Sequence, residues 1–176
     1  MVGTMKAIVV YESHWGNTAA IAHAIAEGIG PGTRALTTDE AVNTAVAGVD
    51  LIVAGAPVIA FGLSREGMRK QIAAGADKAP TPPDVSHPLL RSWLEALPSG
   101  RGRSAAFETR IWWSPRGATG TIERGLKRAG YRALTKAERF IVAGAYGPLR
   151  DGELERARQW GTDLAQAFRA GQPLPT

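Results

Sequence analysis

The chain has no cysteine among its 176 residues. This absence excludes disulfides, thiolate zinc sites, iron–sulfur clusters and a cysteine nucleophile. The three histidines, His14, His23 and His87, lie too far apart in sequence for a metal-ligand spacing, so we expect no metal site. Any redox chemistry therefore requires a bound cofactor.

Long apolar runs are also absent. No stretch is long enough to span a bilayer, and residues 1–6 lead into the first apolar run without the features of a signal peptide. We therefore expect a cytoplasmic protein with no transmembrane segment. The length and the 44% hydrophobic content suit a single domain over residues 1–176, with a Pro-rich surface connection at 79–88 and a tail at 171–176.

The charge balance is basic, with 21 Lys and Arg against 16 Asp and Glu and a formal net charge of +5. The basic residues are scattered and interleaved with apolar ones, and no basic block carries stacked aromatics, so we expect no nucleic-acid partner. The excess of positive charge is compatible with an acidic partner protein. The sequence carries no signal for an oligomeric state.

Apolar runs typical of strands alternate with stretches of helical periodicity. Strands are predicted at 6–11, 33–37, 49–54, 103–109 and, as two pieces of a fifth position, 132–134 and 140–144. Helices are predicted at 18–29, at 39–46, from 64 onward, at 89–97, around Ile122 and Leu126, and after a capping Asp151. This alternation predicts an α/β protein with a doubly wound, five-stranded parallel sheet covered by helices on both faces. Ligands of such sheets bind beyond the carboxyl ends of the strands, which selects the loops 12–18, 55–64 and 109–118.

The first of these loops reads Ser13-His14-Trp15-Gly16-Asn17-Thr18 and lies between a buried strand and a helix. Backbone N–H groups converge at such a helix start and favour a phosphate. No Lys or Arg occurs between residues 7 and 33, so hydrogen bonds and dipoles must hold the anion, which suits a phosphate monoester better than ATP. The Walker and dinucleotide patterns are both missing. The spacing alone equally permits an ordinary turn with Asn17 or Thr18 as N-cap.

The stretch from Val10 to Thr18 closely resembles the phosphate loop of the flavodoxin family. The resemblance implies a flavodoxin-like fold that binds FMN, with the first loop around the phosphate and the other two loops clasping the isoalloxazine ring. The phosphate residues would be Ser13, His14, Trp15, Gly16, Asn17 and Thr18. The ring residues would be Ala56, Pro57, Val58, Ile59, Ala60, Phe61 and Gly62 on one side and Thr109, Arg110, Ile111, Trp112 and Trp113 on the other.

The chain departs from the family pattern at the second loop. Ile59 occupies the usual stacking position and Phe61 follows two residues later, which leaves Trp112 and Trp113 as the best stacking candidates. Alternatively, one of these tryptophans belongs to the core and the other to the surface.

The resemblance favours an FMN-binding protein that exchanges electrons with a redox partner protein or a small-molecule acceptor. One alternative is an FMN-dependent oxidoreductase acting on a quinone or a protoporphyrinogen. Another is a flavin-free binding module with the same fold. Glu12 and Glu108, which end their strands, are interpreted as polar anchors of the loops.

Overall fold

A computed structural model describes residues 4–171 of the chain. The predicted tail therefore lies outside the described residues from position 172 onward. Within residues 4–171, six strands form one sheet: β1 Ala7–Tyr11, β2 Arg34–Thr37, β3 Leu51–Pro57, β4 Arg103–Ile111, β5 Arg132–Ala133 and β6 Glu138–Val142. The order is β2-β1-β3-β4-β5, with β6 also paired to β4, and every ladder is parallel. The predicted doubly wound parallel sheet is confirmed.

The fifth position of the sheet is shared by two short strands. β5 pairs with β4 at Arg103 and Ser104, whereas β6 pairs with β4 from Phe107 to Ile111. The chain leaves the sheet at 134–137, opposite the short stretch 105–106 of β4. The sequence predicts this interruption correctly as two separate pieces.

The helices are α1 Asn17–Ile29, α2 Asn43–Val46, α3 Glu66–Ala74, α4 Leu90–Ala96, α5 Thr119–Arg128 and α6 Glu153–Ala170, with a 3-10 turn at Ala76–Lys78. Successive residues of β1 point to opposite faces of the sheet. Ala7 and Val9 pack with α1 and α6, while Ile8 and Val10 pack with α2, α4 and α5. The sheet is therefore covered on both faces. No helix of the described residues combines the length and the apolarity needed to cross a bilayer.

Two glycines bring α1 and α6 into close contact. A Cβ at Gly28 would overlap the carbonyl of Arg158, and a Cβ at Gly161 would overlap the carbonyl of Ile25. The Thr162 hydroxyl donates to the Gly28 carbonyl at 3.1 Å, which fixes the crossing. The carboxyl half of α1 is thereby held against α6.

Residues 65–88, which we call the excursion, contribute nothing to either core cluster. α3 within it has no buried residue. The core position between β3 and β4 is instead filled by α4, whose Trp93 is buried and donates its indole N–H to the Ala41 carbonyl at 2.8 Å. Because the excursion packs outside the core, it can lie over the carboxyl edge of the sheet.

Several predicted boundaries are wrong for identifiable reasons. β3 continues to Pro57 and β4 to Ile111 because Pro57 pairs with Thr109 and Ile111 pairs with Val142. Residues 55–57 and 110–111 therefore belong to strands and not to loops.

Two predicted helix starts are also wrong. The helix expected at Asp39 starts only at Asn43, because the Asp39 and Glu40 carboxylates accept hydrogen bonds from the Thr37 hydroxyl and backbone N–H in a turn. Asp151 does not cap α6, whose N-cap is Gly152 in the left-handed conformation.

Candidate functional site

A cavity of about 310 Å³ opens at the carboxyl edge of the sheet, where the loops after β1, β3, β4 and β6 meet. Its volume is at the lower end of the range for small-molecule sites. It is lined by Ser13, His14, Trp15, Asn17, Thr18, Pro57, Val58, Ile59, Ala60, Ile72, Thr109, Arg110, Ile111, Val142, Gly144, Ala145 and Tyr146. Residues from all three predicted loops therefore meet in one place.

The first loop ends at an uncapped helix. Gly16 is the N-cap of α1 with a φ of +91°, a conformation that other residues adopt only with strain. No side chain caps α1, and the Gly16 N–H donates to the Ser13 hydroxyl at 3.2 Å. The predicted capping role of Asn17 or Thr18 is therefore wrong. The first N–H groups of α1 lack intrahelical partners and carry the positive end of the helix dipole toward the cavity.

The Thr18 side chain is buried under this loop. Its hydroxyl lies 2.7 Å from the hydroxyl of Thr109, across the gap between α1 and β4. A hydroxyl donates one hydrogen bond and accepts others. If Thr109 is the donor, Thr18 keeps its own O–H for an anion in the cavity.

The loop after β6 closes over the first loop. Tyr146 contacts Trp15 edge to face with ring centroids 4.9 Å apart, and its carbonyl accepts from the Asn17 side-chain amide at 3.3 Å. The indole N–H of Trp15 is buried without a hydrogen-bond partner in the described residues. An unpartnered buried donor is costly, so this indole N–H is an unmet hydrogen bond in a residue that lines the cavity.

His14 faces the excursion. Its Nδ1 lies 2.9 Å from the Asp84 carbonyl, its own carbonyl accepts from the Asp84 N–H at 2.8 Å, and its Nε2 lies 3.4 Å from a carboxylate oxygen of Glu12. Burial lowers the pKa of His14, but its contacts with the Glu12 carboxylate and the Asp84 carbonyl outweigh it, and the net pKa is raised. His14 therefore joins the first loop to the Pro-rich connection.

Two carboxylates anchor the loops of the site, as the sequence predicts. Glu12 accepts the Leu90 N–H at 3.0 Å at the start of α4. Glu108 accepts the Ala118 and Thr119 N–H groups at 2.7 and 3.0 Å at the start of α5, and its other oxygen lies 3.0 Å from Arg110. The positive charge of Arg110 is therefore balanced within the protein.

The second and third loops end in tight turns. The backbones of Ile59 and Gly62 exchange hydrogen bonds at 2.9 and 3.0 Å, and Ala60 and Phe61 adopt positive φ angles at the tip. After β4, the Ser114 N–H donates to the Ile111 carbonyl at 3.2 Å, which closes a turn with Trp112 and Trp113 at its centre. Both turns project their aromatic side chains into solvent.

No group of three or more His, Asp or Glu side chains in residues 4–171 is arranged to hold a metal ion. Two wider grooves, of about 640 and 800 Å³, lie beside β5 and near the amino ends of the strands. Neither of them includes the loops at the carboxyl edge.

The sequence matches no protein-family model, and the comparison with curated proteins found no match. Solved structures do match over most of the chain. A flavodoxin from the domain Archaea superposes with a TM-score of 0.63 at 21% identity, covering 94% of this chain and 99% of the other. The oxidised flavodoxin 1 of Bacillus cereus gives 0.64 at 14% identity, with 92% and 97% covered. The chain has the flavodoxin fold.

The same fold also occurs as part of larger proteins. The rubredoxin oxygen:oxidoreductase of Desulfovibrio gigas matches with a TM-score of 0.60 at 15% identity, and 95% of this chain covers 37% of that one. The resemblance inferred from the first loop is thus confirmed at the level of the fold.

Within this flavodoxin fold, the residues assigned to FMN fall into two groups. Twelve of the eighteen line the cavity, and Ala56 is buried in β3 next to the lining residue Pro57. The other five do not line the cavity: Gly16, Phe61, Gly62, Trp112 and Trp113. The assignment of these eighteen residues to FMN stays a prediction.

Sequence reasoning missed the loop after β6 and one residue of the excursion. Val142, Gly144, Ala145, Tyr146 and Ile72 line the cavity but were not predicted. The signal for the first four was available, because the rule that places ligands at the carboxyl ends of strands also applies to β6. Ile72 gave no such signal, since its position depends on how the excursion folds back.

Proposed function

We propose that the chain binds FMN and serves as an electron-transfer protein. The observation that carries this proposal is the uncapped amino end of α1 at a cavity with two hydroxyl side chains, Ser13 and Thr18. No Lys or Arg is present between residues 7 and 33 to attract polyanions. Unclaimed N–H groups and hydroxyls are the donors that a phosphate monoester requires.

The walls of the cavity support a flat ring beside the phosphate. Pro57, Val58, Ile59 and Ala60 form an apolar side along the end of β3, and Ile111 lies opposite at the end of β4. Apolar walls with a few fixed polar groups are typical of cofactor sites. The cavity would take the phosphate and ribityl chain of FMN, and the ring would extend toward the exposed turns. Bound FMN would supply one- and two-electron chemistry.

The chain itself would bind, orient and shield the cofactor. Trp15 lines the cavity, and the Thr109–Thr18 hydroxyl pair would leave one O–H for the phosphate if Thr109 is the donor. Tyr146, held to the first loop through Asn17 and Trp15, would exclude water from the phosphate.

The test is a titration of the purified chain with FMN and with riboflavin, which lacks the phosphate, followed by flavin fluorescence. We expect FMN to bind more tightly than riboflavin. Thr18→Ala and Ser13→Ala should each weaken FMN binding by about 10- to 100-fold, because a hydrogen bond to a charged group contributes about 1.5–3 kcal/mol. Riboflavin binding should change little.

Thr121→Ala is the matched control, since Thr121 lies in α5 and its hydroxyl only accepts from Arg124. Equal losses of FMN and riboflavin in Thr18→Ala would place the phosphate elsewhere. An absence of binding by either flavin would favour the flavin-free module. Turnover of a quinone with NAD(P)H by the FMN-loaded chain would identify an enzyme instead of a carrier.

A further inference from the structure

The turn after β4 exposes two adjacent tryptophans. Trp112 is 70% exposed and Trp113 is 56% exposed. The turn is held by the Ser114 N–H to the Ile111 carbonyl and by the Ser114 hydroxyl, which donates to the Arg116 carbonyl at 2.7 Å. Indoles are usually largely buried, because each can remove about 150–250 Å² from water. A fixed turn that presents two of them to solvent indicates a contact surface.

These tryptophans are not isolated. Of the six large apolar side chains exposed in residues 4–171, four lie on the loops that follow β3, β4 and β6: Phe61, Trp112, Trp113 and Tyr146. The ends of these neighbouring strands surround the cavity mouth. We call these four side chains, with Arg65 and Arg116 on the same loops, the aromatic rim.

A bound flavin accounts for only part of the rim. Neither indole lines the cavity. The loop after β4 can cover only one face of a flat ring, so at most one of its two indoles stacks there. The indoles also lie on a convex turn, whereas small molecules bind in concave sites. Exposed Trp, Tyr and Arg on a convex surface are typical anchors of protein interfaces.

The charge of the same loops indicates which class of protein would bind to the rim. Arg65, Arg116 and Arg150 form no ion pair within the described part of the chain. On these loops the acidic residues are fewer: Glu66 is paired with Arg69 at 3.1 Å, and only Asp151 lies on the loop after β6. The loops that carry the aromatic rim are therefore net positive, whereas Asp39, Glu40 and Asp84 lie on the side of β1 and β2, near Tyr11.

We infer that the aromatic rim docks an acidic redox protein, with Trp112 and Trp113 as apolar anchors and Arg65 and Arg116 as the electrostatic complement. This inference rests on the proposed function for the partner's redox character, but docking itself requires no flavin. The partner would cover the indoles and approach the cavity mouth, the position from which electrons reach a cofactor inside.

The experiment uses an acidic plant-type ferredoxin as the probe and basic mitochondrial cytochrome c as the control of opposite charge. Binding to the ¹⁵N-labelled chain is followed by NMR at about 20 mM and about 300 mM salt. We expect shifts confined to the loops after β3, β4 and β6, and affinity for ferredoxin that falls about tenfold or more at the higher salt. Trp112→Ala/Trp113→Ala should weaken ferredoxin binding by about 30-fold or more, and Trp112→Phe/Trp113→Phe should restore part of it.

Two charge variants locate the surface. Arg116→Glu should weaken ferredoxin binding, whereas Arg34→Glu, an exposed change at the amino end of β2, should have little effect. Equal binding of cytochrome c, shifts centred on the arginines of α5, or an unchanged affinity in the double alanine variant would each overturn the inference. Binding to anionic phospholipid vesicles in place of ferredoxin would overturn it in favour of a membrane surface.

Each titration is run on the flavin-free and on the FMN-loaded chain. Ferredoxin binding to both forms supports the rim as a docking surface. If no FMN is taken up but ferredoxin still binds at the rim, the proposed function fails and the docking surface remains. If FMN binds and shields both indoles so that ferredoxin no longer binds, the docking inference is wrong and the proposed cofactor stands.

Discussion

Three buried glutamates, one after β1, one within β4 and one at the start of α6, fix neighbouring segments of the chain. Glu12 binds the start of α4, Glu108 binds the start of α5, and Glu153 accepts the Ile141 N–H at 2.6 Å while pairing with Arg156. Each carboxylate receives a backbone N–H, which offsets much of the cost of burying its charge. Single acidic residues therefore determine where three segments of the chain lie.

Replacement of Glu108 by Gln tests this role. Glu108 is fully buried, and Gln keeps its shape but leaves the Arg110 guanidinium without its carboxylate. Breaking a buried pair by removing one partner costs about 3–5 kcal/mol, so we expect the free energy of unfolding in urea to fall by about that amount. Glu95→Gln, an exposed change on α4, is the control and should stay within about 0.5 kcal/mol of the parent. Similar stabilities of the two variants would show that Glu108 is not an anchor.

The raised pKa of His14 makes stability depend on pH. Its pKa in the folded chain lies above the ordinary value of 6.5. The protonated imidazole is thus favoured by folding, so its contribution is fully present below pH 6.5 and is lost as the pH rises through the folded-state pKa. The groups that face it are Glu12, the Asp84 carbonyl and Arg69.

We expect the free energy of unfolding to fall more steeply between pH 6 and pH 8 in the parent than in His14→Gln. Urea denaturation at several pH values measures both slopes. His23→Gln, which alters an exposed histidine of α1, should keep the parent slope. A His14→Gln slope equal to that of the parent would contradict the pair with Glu12.

At the scale of elements, the close crossing of α1 and α6 predicts that alanine at a contact glycine lowers the free energy of unfolding, although alanine is the better helix former. Alanine in place of glycine stabilises a helix by about 1 kcal/mol. At Gly161, however, the added Cβ meets the backbone of Ile25, which cannot move aside. Overpacking costs about 1–3 kcal/mol or more, so the clash should dominate and Gly161→Ala should lower the free energy of unfolding.

Gly67→Ala is the matched control for Gly161→Ala. Gly67 lies in α3 with no atom within 4 Å of an added Cβ, so this variant should gain about 0.5–1 kcal/mol. Thermal or urea denaturation of both variants compares them directly. Stabilisation by both changes would mean that the two helices are more loosely packed than the glycine contacts indicate.

The elements themselves could largely be predicted from the sequence. The alternation of apolar runs with helical spacing gives the parallel sheet, because buried parallel strands are continuously apolar. Strand ends were placed less well, since Pro57 and Ile111 remain in the sheet only through ladder partners that no local pattern reveals. The caps Gly16 and Gly152 were missed because their left-handed conformations replace the side-chain caps that the sequence offered.

The candidate site was predictable only in part. Its first loop has a local pattern, and its second and third loops follow from the order of the strands. Tyr146 and Ile72 reach the cavity through tertiary contacts, and Trp112 and Trp113 are exposed because they lie at the centre of the turn closed by Ile111 and Ser114. Such placements depend on how loops pack on one another, which periodicity does not encode.

At the scale of the whole molecule, a cofactor that binds only the folded chain must stabilise it. Free FMN at 100 times its dissociation constant would add about 2.7 kcal/mol. For a chain of this size the unfolding midpoint should rise by about 5–10 °C in a thermal scan. Riboflavin at the same concentration should raise it less, and Thr18→Ala should reduce the difference between the two flavins. Equal midpoints with and without FMN would contradict the proposed function.

The interruption between β5 and β6 is a site where extra residues can be inserted into the chain. β5 and β6 each pair with β4 through a ladder of their own. The length of the connecting segment 134–137 therefore does not set the register of either strand. A Gly-Ser graft between Thr135 and Lys136 should therefore leave the architecture intact, since doubling a flexible loop costs only about 0.6 kcal/mol. Foreign segments, reporters or new chain ends could be introduced there, and an unchanged circular dichroism spectrum of the grafted chain would verify it.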